Sequence, residues 1–125
     1  MSRALVLFAH GARDPRWAEP FEAVAARLRA AEPGRVIIVA FLELMPPALG
    51  EGVAAAVAAG ADRVDVVPMF LGVGGHLRND LPPLVEAVRR SHPGVEIRLH
   101  GAIGEQPQVI AALADAVSTL ASGPQ

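Results

Sequence analysis

Apolar and polar positions along this chain are grouped on the scale of whole elements. Four apolar runs, Ala4–Ala9, Val36–Leu42, Val64–Leu71 and Val95–Leu99, alternate with four stretches of helical spacing. The first two runs are continuous and rich in Val, Ile, Leu and Phe, which predicts strands buried on both faces, as in a parallel sheet. In the first helical stretch Trp17, Phe21, Val24, Ala25 and Leu28 share a face, and Pro33-Gly34 ends it. Pro20 is tolerated only in a first turn, so the regular helix is expected to begin near it. The second stretch follows Pro46-Pro47 and turns Leu49, Val53 and Val57 inward, with Gly60 where a C′ glycine belongs.

The third helix is expected to start at Asp80 as N-cap, with Pro82-Pro83 just inside and a stripe of Leu81, Leu84, Val85 and Val88. His92-Pro93-Gly94 terminates it. The fourth runs from about Pro107, with Ile110, Leu113, Val117 and Leu120 on one face. Residues 122–125 are expected to fray. The order βαβαβαβα predicts an α/β fold: one lobe over residues 1–121, with a four-stranded parallel sheet flanked by helices on both faces. Two residues resist this pattern. Pro68 removes a ladder donor from the third strand, so a bulge or an edge position is expected there. Asp65 is a polar intruder in the same run.

Composition narrows the chemistry. A chain of 125 residues, 52% apolar and 19% charged, has material for one core and no case for disorder. The net charge of −2 argues against nucleic acid as a partner, because a phosphate backbone calls for a basic face. All 11 basic residues are arginine, which excludes a Schiff-base or P-loop lysine. With Cys at 0, disulfides, thiolate nucleophiles and iron–sulfur clusters are excluded too. No run approaches the roughly 18 apolar residues of a membrane span. The short N-terminal run is followed at once by His10, Gly11, Arg13 and Asp14, so it reads as a buried strand and not a signal sequence. A cytoplasmic protein without a membrane partner is expected.

In open α/β sheets ligands bind beyond the carboxyl ends of the strands. His10 follows the first strand, Glu43 the second, and His76 the third, after Gly72-Val73-Gly74-Gly75. The steps from 10 to 43 and from 43 to 76 are equal, about one βα unit each. Two imidazoles and a carboxylate on one edge make a set for a divalent metal with open positions. Each also has a plain structural reading: a turn hydrogen bond, an exposed loop carboxylate, a loop histidine. Arg13, Arg16 and Arg78 flank the histidines at helix starts, where cations are not favoured, and an anionic ligand would explain them. The glycine loop lacks the Lys and Ser/Thr of a phosphate loop, but Gly74 and Gly75 would let the chain lie flat against a large ligand. Phe41, Leu44, Met45, Met69, Phe70 and Leu77 surround the edge, most of them as core. His92 suits a helix C-terminus, and His100 ends the fourth strand as a possible auxiliary group.

Taken together, His10-Gly11-Ala12-Arg13-Asp14-Pro15-Arg16-Trp17, Glu19-Pro20-Phe21, Ala40-Phe41-Leu42-Glu43, Val67-Pro68-Met69-Phe70-Leu71 and Gly74-Gly75-His76-Leu77-Arg78-Asn79-Asp80-Leu81-Pro82 resemble the short sirohydrochlorin chelatases of the CbiX/SirB type. The resemblance covers roughly residues 3–120. It implies a class II chelatase lobe with flavodoxin-like strand order. It also implies insertion of cobalt or iron, or nickel in some relatives, into sirohydrochlorin for cobalamin or siroheme synthesis. Larger members hold two lobes with the site between them, so the single lobe implies a homodimer. The family's metal-binding and catalytic positions match His10, Glu43 and His76. The metal is then a substrate, and no organic cofactor is called for. The macrocycle would lie on Gly74 and Gly75, with its carboxylates on Arg13, Arg16 or Arg78. Ala12 departs from the family's frequent serine, and the chain has neither a His-rich tail nor cluster cysteines. Two other readings stay open: a metal or tetrapyrrole carrier without turnover, and a histidine phosphotransfer enzyme. Against the latter, Ala9 stands where an arginine usually precedes such a histidine.

Overall fold

Alternate residues of a strand point to opposite faces, and in this chain both faces are apolar. In the computed structural model, which describes residues 2–72 and 74–124 and the backbone alone of His76, the runs become β1 (Ser2–Ala9), β2 (Val36–Phe41), β3 (Ala61–Pro68) and β4 (Glu96–Leu99). They form one parallel sheet in the order β2-β1-β3-β4. The expected architecture and strand order are both present. Helices α1 (Glu19–Ala31), α2 (Leu49–Ala58), α3 (Gly75–Ser91) and α4 (Pro107–Ser122) follow the strands in turn. Helix α4 ends one residue into the stretch expected to fray.

Two cores result. On one face Ala4, Val6, Phe8, Val64, Val66 and Ile97 meet α2 through Leu49 and Val53 and α3 through Leu81 and Val85. On the other, Leu7, Ile37, Val39 and Phe41 meet α1 through Ala25, Phe21 and Leu28. Val6, Phe8, Val53, Val64, Val66 and Val85 are fully buried. Each such side chain contributes about 1.5–3 kcal/mol relative to exposure.

Several boundaries differ from those read in the sequence, each for a local reason. A 3-10 turn, Pro15–Ala18, precedes α1, so Trp17 lies before the helix and not in it. Pro20 falls in the first turn of α1, as expected. β3 ends at Pro68, so Met69, Phe70 and Leu71 leave the sheet. Pro68 needs neither a bulge nor an edge strand. The Met69 N–H donates to Phe8 of β1, so Pro68 faces the β4 side, beyond the last pair, Val66 with Leu99. The next bond on that side would run from residue 68 to the His100 carbonyl, and the proline, having no N–H, ends the β3–β4 pairing there.

Helix α3 begins at Gly75, not at Asp80, and carries Pro82 and Pro83 inside it. Leu77 packs with Leu81, Val85 and Val88 on the α2–α3 core, and this four-residue spacing extends the apolar stripe back past the prolines. The two prolines cost the helix donors that would have reached Arg78 and Asn79. His76, Arg78 and Asp80 therefore sit on the first turns of a helix and not on a loop. Gly60 has a φ of +102° and closes α2, as expected.

The outer strands are capped from their own helices. The Phe41 N–H points outward to Pro47, so the carbonyl of Ile37 points outward as well, and Arg29 of α1 donates to it at 2.8 Å. The His100 N–H points inward to Val66, so the carbonyl of Ile97 points outward, and Arg89 of α3 donates to it at 2.9 Å.

Helix α4 has the expected apolar stripe, but no residue of the helix is buried.

Candidate functional site

The order β2-β1-β3-β4 reverses direction between β1 and β3, and the crevice of such a sheet opens at the carboxyl ends of those two strands. His10 leaves β1 there, and Phe70 follows the end of β3. Their rings meet edge to face, 6.3 Å apart at 70°. Phe70 meets Phe8 in the same way at 6.4 Å, so the imidazole stands on a buried aromatic pair. The carbonyl of Phe70 accepts from the Gly104 N–H, which ties this segment to the loop after β4.

Glu43 reaches His10 because the β1–β2 ladder continues past both strands. The Leu42 N–H donates to Ala9, and the Glu43 N–H to His10. Nε2 of His10 and Oε1 of Glu43 are 3.1 Å apart, and the side chains are 45% and 56% exposed. A neutral imidazole and a carboxylate so placed offer two donors to a metal ion arriving from solvent, or pass a proton between them. Gly11, at φ +99°, turns the chain after His10, and a Cβ there would collide with the Glu43 carbonyl. Leu44 follows Glu43 with a φ of 69°, a conformation that a leucine rarely adopts.

Spacing brought His10 and Glu43 together correctly. His76 lies at the second position of α3, after the N-cap Gly74 and Gly75. Its side chain falls outside the described residues, as does Val73 of the glycine loop. Among the described residues no group of three or more His, Cys, Asp or Glu gathers to hold a metal.

The arginines fall in different places. Arg16 is engaged locally. Asp14 caps the 3-10 turn through the Arg16 N–H and takes the Arg16 guanidinium at 2.8 Å. This side-chain bond, followed by the backbone one, holds the Asp14 carboxyl below its usual value, and the same pairing raises Arg16. Arg13 is exposed and has no hydrogen bond or ion pair among the described residues. Arg78 lines a cavity of about 270 Å³ with Leu81, Leu99, His100 and Glu105, between α3 and the loop after β4.

His100 belongs to a separate cluster, with Asp65. Its Nε2 lies 2.8 Å from Asp65 Oδ1. Arg63, Arg35 and Arg98 approach the same carboxylate at 3.3, 3.4 and 3.8 Å. Burial pushes the Asp65 carboxyl up, but the hydrogen bonds from His100 and Arg63 and their charges outweigh it and hold it below its usual value. The polar intruder of the sequence is thus the centre of an ion network on the α1 side of the sheet.

Of the apolar residues around the strand ends, Phe41 and Phe70 are buried. Met45 and Met69 pack on the α1 core, and Leu77 on the other. Leu44 and Leu71 are 56% and 71% exposed and follow directly on Glu43 and Phe70, the two residues that His10 contacts. Leu71 did not stand out in the sequence because it closes an apolar run. Proline three residues earlier was the signal that the run leaves the sheet.

These features define a parallel α/β lobe with a histidine–carboxylate pair at its topological switch point. The chain belongs to the CbiX family, whose model matches residues 4–120. It is similar to the sirohydrochlorin cobaltochelatase of Methanopyrus kandleri, 34% identical over 82 residues, which are 66% of this chain and 57% of that protein. It is also similar to the sirohydrochlorin ferrochelatase of Priestia megaterium, 26% identical over 115 residues, 92% of this chain and 43% of that protein. The chain therefore spans about half the length of the curated relatives it matches. Among solved structures, a protein of Marinobacter aquaeolei VT8 described as a CbiX protein of cobalamin (vitamin B12) biosynthesis superposes with a TM-score of 0.84. It is 36% identical, and the match covers 95% of this chain and 97% of that one. Among the described residues no helix is long and apolar enough to cross a membrane.

Proposed function

We propose that this protein is a sirohydrochlorin chelatase, a lyase that inserts Co²⁺ or Fe²⁺ into sirohydrochlorin in the cytoplasm. The observation that carries the reading is the half-exposed His10–Glu43 pair, 3.1 Å apart at the switch point of the sheet. Membership in the CbiX family and similarity to a cobaltochelatase and a ferrochelatase support it.

Metal insertion expels two pyrrole protons from the macrocycle. His10 would hold the incoming ion first; as the ion passes to the macrocycle nitrogens, the imidazole nitrogen that it vacates accepts one pyrrole proton and the Glu43 carboxylate accepts the other. Glu43 holds the imidazole and supplies a second ligand or relays the proton to solvent. His76 is the third donor, from the first turn of α3. The macrocycle lies over the strand ends against Leu44, Leu71 and the backbone of Gly74 and Gly75, which positions its nitrogens over the ion. Arg13, exposed beside His10, meets a peripheral carboxylate. Arg78 does so from the far side of the site, and Arg16 only by exchanging Asp14 for the substrate. A second lobe closes the other side of the macrocycle, which makes the working protein a homodimer.

The test is an anaerobic absorption assay with purified protein, sirohydrochlorin and Co²⁺ or Fe²⁺, with His10→Ala and His76→Ala alongside. Multiple turnovers that disappear in both variants support the reading. Tight binding of metal or macrocycle with no rate above the uncatalysed blank overturns it in favour of a carrier.

A further inference from the structure

The loop after β4 meets the site at one point, and that point is a glycine. Gly104 sits buried in the 3-10 turn Ile103–Glu105. Its φ lies outside the left-handed region, so the turn itself does not call for glycine. Close approach does. A Cβ on Gly104 would collide with the backbone of Leu71, meeting its carbonyl oxygen and its Cα. At Gly101, in the same loop, a Cβ would meet nothing within 4 Å among the described residues. The loop is braced from behind by Ala102, which is 2% exposed and belongs to the α2–α3 core. It is braced at its start by the His100 N–H, which donates to Val66.

The segment that Gly104 lies against has left the sheet. Beyond Pro68 it is held by two backbone bonds, from the Met69 N–H to Phe8 at 2.8 Å and from the Gly104 N–H to Phe70 at 2.9 Å. Between them the Phe70 ring is set edge to face against Phe8 and against His10. Such ring pairs depend on orientation as well as distance. The His10 side chain is 45% exposed, so only Glu43 and Phe70 define where it stands. We infer that Gly104 is a positioning residue for His10: lying flat on Leu71 and donating to the Phe70 carbonyl, it fixes the Phe70 ring, and the ring fixes the imidazole beside Glu43. Alanine at this position would force the two backbones apart by about 1 Å, and a misplacement of that size at a reacting group costs about 10²-fold in rate. The effect on rate rests on the chelatase reading, whereas the effect on the imidazole does not.

The test compares Gly104→Ala, Phe70→Leu, the double variant and Gly101→Ala. The first readout is the His10 ring-proton resonance of the unliganded protein at one fixed pH, assigned as the signal missing from His10→Gln. It should move in Phe70→Leu, which removes the ring current, and in Gly104→Ala, while the His92 signal stays in place. The second is steady-state chelatase kinetics. Both single variants should lose about 10–100-fold in kcat, and the double variant no more than the worse single, because the two act through one contact. Gly101→Ala should match the unmodified protein in both readouts. A His10 signal that stays put in folded Gly104→Ala overturns the inference. So does a fall in melting temperature or a rise in KM with kcat intact, and so do losses that add in the double variant. Should Gly104→Ala fail to fold, an unmoved His10 signal and an unchanged kcat in Phe70→Leu overturn it. If the unmodified protein shows no turnover, the chelatase reading falls, and the His10 signal alone still decides whether Gly104 places the imidazole.

Discussion

Nε2 of His10 lies 3.1 Å from Oε1 of Glu43, although 33 residues separate them, because β1 and β2 are neighbours and their ladder runs on for two residues past the strands. The pair is fixed by backbone on both sides, so either side chain can be altered without moving the other. His10→Ala should lower chelatase turnover by at least about 10²-fold, the scale of a lost general base. Glu43→Gln keeps the shape and the hydrogen bond but loses the charge, and should cost about 10–100-fold, as partners of metal ligands do. Both should unfold within a degree or two of the unmodified protein, read by thermal melting with the steady-state rates.

Gly11→Ala should damage the fold and the site together. A Cβ at that position meets the Glu43 carbonyl, and the φ of +99° is unfavourable for alanine. The backbone strain is about 1–3 kcal/mol, readable as a lower urea midpoint with the slope unchanged. The turn that relaxes is the one holding His10 against Glu43, so turnover should fall in the surviving folded fraction too.

Leu44→Gly separates stability from function. A left-handed leucine costs about 1–2 kcal/mol, and glycine returns about 0.5–1 kcal/mol of that as lost chain entropy. The variant should therefore be as stable as the parent or slightly more so. It also removes a side chain next to Glu43 that is 56% exposed, so KM for the macrocycle should rise while kcat changes little.

Asp65 predicts a pH dependence of stability. Its carboxyl is held below the usual value, so the folded state binds its proton less readily than the unfolded chain does. The resulting stabilisation is complete above the unfolded value of about 3.9. It is lost as the pH falls through the lower, folded value. Urea midpoints taken downward from about pH 5 should fall more steeply for the unmodified protein than for Asp65→Asn. At neutral pH that variant leaves Arg63, Arg35 and His100 around an uncharged centre and should lose about 3 kcal/mol.

Much of this was legible in the sequence, and the exceptions have physical causes. β1 and β2 showed themselves as continuous apolar runs because a parallel sheet hides both faces. His10 and Glu43 were found by their spacing, since one βα unit returns the chain to the same edge. The start of α3 is hidden in the sequence because Pro82-Pro83 mimics a helix start, whereas in the fold the packing of Leu77 with Leu81 outweighs the two missing donors. Arg16 reads as an unexplained cation from its place at a helix start, but Asp14, two residues away, neutralises it. Amphipathic spacing marked the stripe of α4 correctly, but a stripe records only that a face is to be covered, not which molecule covers it.

The bonds from Arg29 to Ile37 and from Arg89 to Ile97 reach beyond the lobe itself. A parallel sheet ends in two rows of unpaired backbone groups, and any extended segment of another chain can join such a row. Here a guanidinium occupies a carbonyl on each outer strand, eight residues along from its own helix position in both cases. An incoming strand would have to displace a charge-assisted bond at either end. Crowded copies of this chain are thereby steered away from growing their sheets into one another, and the route to fibrous aggregates is obstructed at both borders.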